Sequence, residues 1–116
     1  MGKEDCLFCR IAKKEIDSKI VRDDPDILAF EDVNPQAPVH ILIVPKEHLE
    51  KVSDLAEKNI GMIGRLVLTA KEIAKEKGVE KSGYRIVMNC NRDAGQAVFH
   101  LHLHLLGGRK FSWPPG

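Results

Sequence analysis

The longest amphipathic segment of the chain runs from Ser53 to Lys77, where apolar side chains recur every three to four residues. Ser53 or Asp54 can cap the start of a helix there, and Gly78 can end it. The pattern predicts one long helix over residues 53–77 with a wide apolar stripe. Its apolar positions are Leu55, Met62, Ile63, Leu66, Val67, Ala70, Ile73 and Ala74.

Four shorter runs, rich in β-branched and other apolar residues, predict strands. A short helix over residues 6–14, capped by Asp5, is expected before them. Because short turns join the strands in pairs, the order predicts an α+β fold with an antiparallel sheet and helices on one side of it. The four runs are Ile27 to Phe30, Val39 to Val44, Tyr84 to Asn89 and Phe99 to Leu106.

The last predicted strand carries a histidine at every second position, at His100, His102 and His104. Side chains alternate between the two faces of a strand, so the three imidazoles are expected on one face and the intervening leucines on the other. Imidazole can be a nucleophile, base, acid or metal ligand near neutral pH. A merely exposed polar face is the alternative, but such faces usually alternate Thr, Lys, Glu or Ser.

Composition narrows the class of protein. Residues 1–116 are predicted to form a single domain, and a formal net charge of +1 provides no field for holding nucleic acid. The apolar runs are far shorter than the roughly 20 residues that span a bilayer. The first residues lack the apolar core of a signal peptide, so the expectation is a cytoplasmic protein. Three cysteines then indicate thiols or a metal site rather than disulfides.

The run His100-Leu101-His102-Leu103-His104-Leu105-Leu106 resembles the motif of the histidine triad (HIT) superfamily. Gly95-Gln96, the segment Pro35 to His40 and the final Trp-Pro-Pro-Gly are similar to its histidine triad nucleotide-binding branch. The resemblance implies a single HIT domain with a five-stranded antiparallel sheet, one long helix and one short helix. It also implies a homodimer, with Met62, Leu66 or Ile73 of the long helix facing the partner. The implied activity is hydrolysis of adenosine or guanosine 5′-phosphoramidates through a histidine-bound nucleotide.

The middle histidine is the best placed nucleophile, because His102 has an imidazole two residues away on each side. Attack by a neutral ring nitrogen on phosphorus divides one displacement into two easier ones. His104 is expected to contact the phosphate oxygens and, when protonated, to stabilise charge on them. His40 is expected behind the triad as an orienting group; a hydrogen-bonded histidine without a catalytic part is the open alternative.

The resemblance also assigns residues to nucleotide binding. Asp32 matches the acid that binds the ribose, and Phe8, Leu7, Ile11, Phe30 and Val33 match the base pocket, although ordinary core is the alternative for these apolar residues. Asn89, Gly95, Gln96 and Ala97 are expected near the phosphate. Trp113 in the tail is expected to approach the site of the other subunit. Ala97 departs from the family, which usually has a serine at this position.

Cys6 and Cys9 form a Cys-x-x-Cys pair that could hold one zinc ion together with two further ligands. The resemblance implies that His48 and His100 complete the site. A reduced thiol pair that packs as small apolar groups is the alternative, and a thioredoxin-like redox role is less favoured because no βαβ pattern surrounds the pair.

Two other functions stay open at this stage. One is a dinucleoside polyphosphate hydrolase that uses the same histidines. The other is a nucleotide-binding regulatory or scaffold protein with weak catalysis, which the alanine at position 97 makes plausible.

Overall fold

A computed structural model describes residues 5–116 of the protein. Its centre is a five-stranded antiparallel sheet with strand order β1-β2-β3-β5-β4, as predicted in class and strand number. The strands are β1 (Ile20–Asp23), β2 (Ile27–Glu31), β3 (Val39–Pro45), β4 (Tyr84–Val87) and β5 (Leu103–Gly107), and the helices are α1 (Leu7–Ala12) and α2 (Ile60–Glu76).

Each face of the sheet is covered by a different helix, so the prediction of helices on one side only is wrong. Alternate residues of β2 show the division: Ile27 and Ala29 join the core under α2, whereas Leu28 and Phe30 join a second core under α1. The first core is larger, because α2 has 17 residues and α1 only six. α1 is therefore too short to cover its face alone, and that face also holds the histidines, of which His40, His100 and His102 are buried and His104 is half-buried.

The long helix begins later than predicted. Its first residue is Ile60, and two turns of 3-10 helix, Val52–Asp54 and Glu57–Asn59, precede it. Ala56 between them has extended backbone, and its amide donates to the side chain of Asn59 at 2.9 Å. Leu55 packs against the core from this segment. Its apolar side chain therefore matched the helical spacing in the sequence, and the helix was predicted to begin too early.

Several strand boundaries and the cap of α1 also differ from the prediction. The sequence did not locate β1, an edge strand whose two middle residues are half-buried and whose end residues are exposed. β4 ends at Val87 rather than at Asn89, and the histidine strand begins at Leu103. His100 and His102 thus precede β5, yet Leu101, Leu103 and Leu105 all lie in the α2 core as the alternation predicts. Cys6, not Asp5, caps α1 by accepting the amide of Cys9.

Two of the three residues predicted to face a partner subunit lie in the core. Leu66 and Ile73 are fully buried against the sheet, because they occupy the centre of the apolar stripe of α2. The apolar side chains that α2 leaves exposed are instead Ile60, Val67 and Leu68. No helix in residues 5–116 is long and apolar enough to cross a membrane.

Candidate functional site

Neighbouring strands bring His40 and His104 together. In the β3 and β5 pairing, His40 lies opposite Leu106 and His104 opposite Leu42, so the two histidines are diagonal neighbours on the α1 face. Their ring centroids are 5.2 Å apart, and the ring of His102 lies 4.9 Å from that of His104. Three of the predicted catalytic residues thus form one continuous group of imidazoles.

One hydrogen bond determines which nitrogen of His102 is free. Nδ1 of His102 lies 2.7 Å from the carbonyl oxygen of His100. A carbonyl only accepts, so Nδ1 carries the proton and Nε2 keeps a lone pair. Burial lowers the pKa of His102, opposed by the carbonyl of His100 and the charge of Asp32, so the ring is neutral at physiological pH. A neutral imidazole with a lone pair at Nε2 is the form that a nucleophile requires.

A chain of three hydrogen-bonding groups determines the tautomer of His104 in the same way. The backbone N–H of Gln36 donates to Nδ1 of His40 at 3.0 Å, so the proton of neutral His40 is on Nε2. That Nε2 lies 2.9 Å from Nδ1 of His104, which therefore accepts. The proton of neutral His104 is thus on Nε2, where it can be donated to a bound ligand.

The same surroundings keep both of these rings uncharged. Burial, aided by the neighbouring His102 and His40, lowers the pKa of His104 to about 4. Burial also lowers the pKa of His40, and the carboxylate of Asp32, 3.4 Å from its Nε2, only partly opposes this. In the unliganded protein His104 therefore offers a neutral N–H at pH 7, and the expected contact with phosphate oxygens stays a prediction.

A cavity of about 350 Å³ opens beside His102 and His104. Phe8, Ile11 and Phe30 belong both to its wall and to the α1 core, and their part in binding a base stays a prediction. Leu42, which the sequence analysis did not select, lines it because it pairs with His104 across the sheet. The other predicted residues that line the cavity are Leu7, Asp32, Val33, Asn89, Gly95 and Ala97.

Two predicted binding residues lie outside the cavity of the single chain. The side-chain amide of Gln96 is buried, accepts from the N–H of Asn91 and donates to the carbonyls of Glu50 and Val98, so it holds the loop in place. Trp113 is 83% exposed. Its approach to the site of a second subunit stays a prediction.

The four predicted metal ligands form a separate, buried cluster. The ligand atoms of Cys6, Cys9, His48 and His100 all lie within 4.8 Å of one another. Nδ1 of His100 is 3.2 Å from Sγ of Cys6 and 3.5 Å from Sγ of Cys9, and Nδ1 of His48 is 3.4 Å from Sγ of Cys9. Tetrahedral zinc with bonds of about 2.3 Å to sulfur and 2.0–2.1 Å to nitrogen separates such ligands by about 3.5 Å. The spacing therefore fits zinc.

The orientation of His100 fits a metal as well. Its Nε2 lies 2.7 Å from the carbonyl oxygen of Pro45 and so carries the proton, which leaves the Nδ1 lone pair for an ion. Burial lowers the pKa of His100 to about 4, so the ring is in the neutral form that ligates.

Asp32, His40 and His104 form a second group whose composition could hold a metal. The hydrogen bond from Gln36 argues against this, because it occupies the Nδ1 lone pair of His40 and leaves the proton on Nε2, the atom that would have to ligate. This group is better described as the hydrogen-bonded support of His104.

Comparison with known proteins identifies the superfamily. The family model of the HIT domain matches residues 13–111, which is most of the chain. The protein belongs to the HIT family. A HIT family hydrolase from Legionella pneumophila has the same fold with a TM-score of 0.95 and 46% identity, over 97% of this chain and 100% of that one.

Two curated relatives cover nearly the whole HIT domain. An uncharacterized HIT-like protein of Synechocystis is 50% identical over 113 residues, which are 97% of this chain and 98% of the relative. A 14 kDa zinc-binding protein of Zea mays is 48% identical over 112 residues, which are 95% and 87% of the two chains. The cluster of two cysteines and two histidines, together with this relative, supports the zinc prediction.

Proposed function

We propose that this HIT protein hydrolyses adenosine or guanosine 5′-phosphoramidates through a nucleotide bound covalently to His102. The observation that carries the proposal is the pair of hydrogen-bonded tautomers: His102 with a free Nε2 lone pair and His104 with an N–H at Nε2, both lining one cavity. The name of the Legionella relative supports hydrolysis in general.

The cavity suits a nucleoside. Its apolar wall of Phe8, Ile11 and Phe30 provides an aromatic and aliphatic surface for a base. Asp32 stands at the edge, where its carboxylate accepts the N–H of Asn34 at 2.8 Å and keeps further lone pairs for ribose hydroxyls. With the nucleoside bound in this way, the α-phosphate of the proposed substrate would lie beside the two histidines.

In the first step, Nε2 of His102 forms a bond to the α-phosphorus and the P–N bond breaks. A substrate whose bridging nitrogen is protonated loses a neutral amine, which departs with the bonding electron pair. The N–H of His104 stabilises the charge on the phosphate oxygens, and it needs no rearrangement because His40 already holds the ring.

In the second step, water attacks the phosphorus of the histidine-bound nucleotide. The bond from phosphorus to His102 breaks, and its electron pair returns to Nε2. One proton of the attacking water ends on the freed amine. The products are a nucleoside monophosphate and an alkylammonium ion. The resting tautomers of His102 and His104 are restored for the next turnover.

The cysteine and histidine cluster is proposed to hold one structural zinc ion, as the name of the maize relative supports. Cys6 and Cys9 come from the start of α1, and His48 and His100 from segments next to the sheet. Through these four residues a bound ion would link α1, which lines the proposed base pocket, to the start of the histidine segment.

A hydrolysis panel tests the activity. Adenosine and guanosine phosphoramidates and a dinucleoside polyphosphate are offered to the purified protein and to His102→Ala. We expect phosphoramidate turnover by the native protein, a labelled nucleotide on His102 after rapid acid-free quenching, and no turnover by the variant. AMP affinity of the variant should stay within about tenfold, because base and ribose contacts remain.

The alternatives appear as distinct results. Turnover of the dinucleotide alone assigns the first alternative, a polyphosphate hydrolase. AMP binding with no turnover of any substrate assigns a regulatory role. Substantial phosphoramidate hydrolysis by His102→Ala would contradict the covalent mechanism.

A further inference from the structure

A second cavity, of about 270 Å³, lies on the other side of His104. It shares His104 and Asn89 with the first cavity, so the two are adjacent, whereas His102 lines only the first. The walls of the second cavity also include Arg85, Arg109 and Phe111. Nothing in the reaction described so far uses these three residues.

The fold explains how two arginines reach this place. On β4, Val87 pairs with His104 and Arg85 with Leu106, so Arg85 points to the same face of the sheet as His104. Arg109 follows β5 and is held by a hydrogen bond from its Nε to the carbonyl of Gln36 at 2.9 Å. Phe111 lies between them, with its ring centroid 4.3 Å from the guanidinium of Arg109 and 5.1 Å from that of Arg85.

Within the part of the chain that the structure describes, neither guanidinium has an anionic partner. Within residues 5–116, no carboxylate lies within 4.0 Å of either guanidinium, although six other cationic side chains of lysine and arginine do form ion pairs. Arg85 donates to the carbonyl of Ser112, and Arg109 to those of Gln36 and Lys110. A guanidinium has five N–H donors, so each retains several for a ligand. The cavity is therefore lined by two positive charges whose side chains are held by hydrogen bonds to the backbone.

The reaction geometry relates this cavity to the leaving group. In an in-line displacement the nucleophile and the leaving group lie on opposite sides of the phosphorus. With the nucleoside and His102 on the first-cavity side, a leaving group passes His104 and Asn89 towards the second cavity. Any negative charge that it carries then meets Arg85 and Arg109.

We infer that the second cavity is a leaving-group subsite in which Arg85 and Arg109 bind an anionic group. The inference rests on the proposed function and specifies its substrate class: the amine carries a carboxylate, or the leaving group is itself a phosphate chain. Both sources present the planar or tetrahedral oxyanion that guanidinium groups bind through paired hydrogen bonds.

A matched pair of substrates tests the inference. Adenosine 5′-phosphoramidates of 3-aminopropanoate and of 3-aminopropanamide differ only in the terminal charge, and diadenosine triphosphate provides the phosphate arm. We expect the native protein to favour the carboxylate over the amide by about tenfold in kcat/KM, equivalent to about 1.4 kcal/mol. The preference should weaken as salt is raised.

Arginine variants locate the effect. Arg85→Gln and Arg109→Gln should bring the ratio of the carboxylate to the amide substrate towards one, and Arg109→Lys should keep part of it. Lys75→Gln, which removes one charge from an exposed position on α2, is the control and should leave both rates unchanged. Loss of diadenosine triphosphate turnover in the arginine variants, with an unaltered carboxylate ratio, assigns the subsite to phosphate chains.

Two results overturn the inference while leaving the proposed function intact. One is equal or faster turnover of the amide together with no turnover of the triphosphate. The other is a preference for the carboxylate that both glutamine variants retain. Failure of the proposed function is seen separately, because the neutral amide substrate is then not hydrolysed.

Discussion

Four histidines on one face of the sheet differ in the ring nitrogen that carries the proton, although they are the same residue type. The partner of one ring nitrogen decides each role: a carbonyl for His102, a different carbonyl for His100, and a backbone N–H for His40, which in turn directs His104. Because the partner fixes the tautomer, it also fixes which nitrogen can attack, ligate or donate.

Ala97 brings no hydrogen-bond donor from its side chain to the cavity, where the family usually has a serine. Ala97 lines the cavity together with Asn89 and Gly95, but has no side-chain donor. Ala97→Ser should raise phosphoramidate kcat/KM by roughly tenfold, about 1.4 kcal/mol, if the hydroxyl donates to the phosphate or the leaving nitrogen in the transition state. Steady-state kinetics measure this, with Ala94→Ser, an exposed position of the same loop, as the control. An unchanged or lower rate would show that backbone donors or water already serve the phosphate.

At this scale the sequence predicted which residues meet but not how they are protonated. The spacing of the triad and the resemblance together selected the residues of both clusters. The ring nitrogens could not be assigned, because their partners are the carbonyls of Pro45 and His100 and the amide of Gln36, whose positions depend on the finished fold. Arg85 and Arg109 carried no sequence signal, since isolated arginines are usually solvated charges.

At the scale of elements, the sequence predicted the strong patterns and missed the weak ones. The apolar stripe of α2 and the alternation in β5 follow burial, which a periodic pattern reports directly. β2 and β3 were recognised as continuous apolar runs, because nearly all of their residues are buried. β1 is an edge strand with no buried residue, so its sequence has little apolar pattern to detect. The start of α2 was misplaced because Leu55, which has extended backbone just after a 3-10 turn, packs against the core at a position that matches the helical spacing.

The short helix α1 depends on contacts with the rest of the protein for its stability. Six residues are too few for a helix to be stable alone, and α1 is held by Phe8 and Ile11 in the core and by the cluster that Cys6 and Cys9 share with His48 and His100. The metal site is therefore expected to stabilise the wall of the nucleotide cavity more than the sheet.

Removal of one thiolate tests this role. The native protein should contain about one zinc per chain, and Cys9→Ser should lower the content to well under half and reduce the melting temperature by roughly 5 °C or more. Elemental analysis and thermal unfolding measure the two effects. Cys90→Ser, at the one cysteine outside the cluster, should retain both zinc and stability. If native protein prepared without chelator holds far less than one equivalent of zinc, the metal site is rejected, and Cys6 and Cys9 are a reduced thiol pair that packs as small apolar groups.

At the scale of the whole molecule, the two faces of the sheet differ in what they hold. One face is packed under α2 and forms the main core, and the other combines the smaller core with both cavities. The outer surface of α2 belongs to neither. Ile60, Val67 and Leu68 are exposed there, and their spacing of seven and eight residues places them along one side of the helix.

We predict that this side of α2 is the contact between two copies of the chain. The native protein should sediment at micromolar concentration as a dimer of twice the 13.0 kDa chain. Leu68→Glu should shift it towards monomer, because burying an unpaired carboxylate against an apolar partner surface is unfavourable. Val33→Glu, which places the same charge at an apolar residue that is 95% exposed elsewhere, should leave the dimer intact. A native protein that sediments as a monomer excludes the dimer, and a dimer that persists in Leu68→Glu places its interface on another surface.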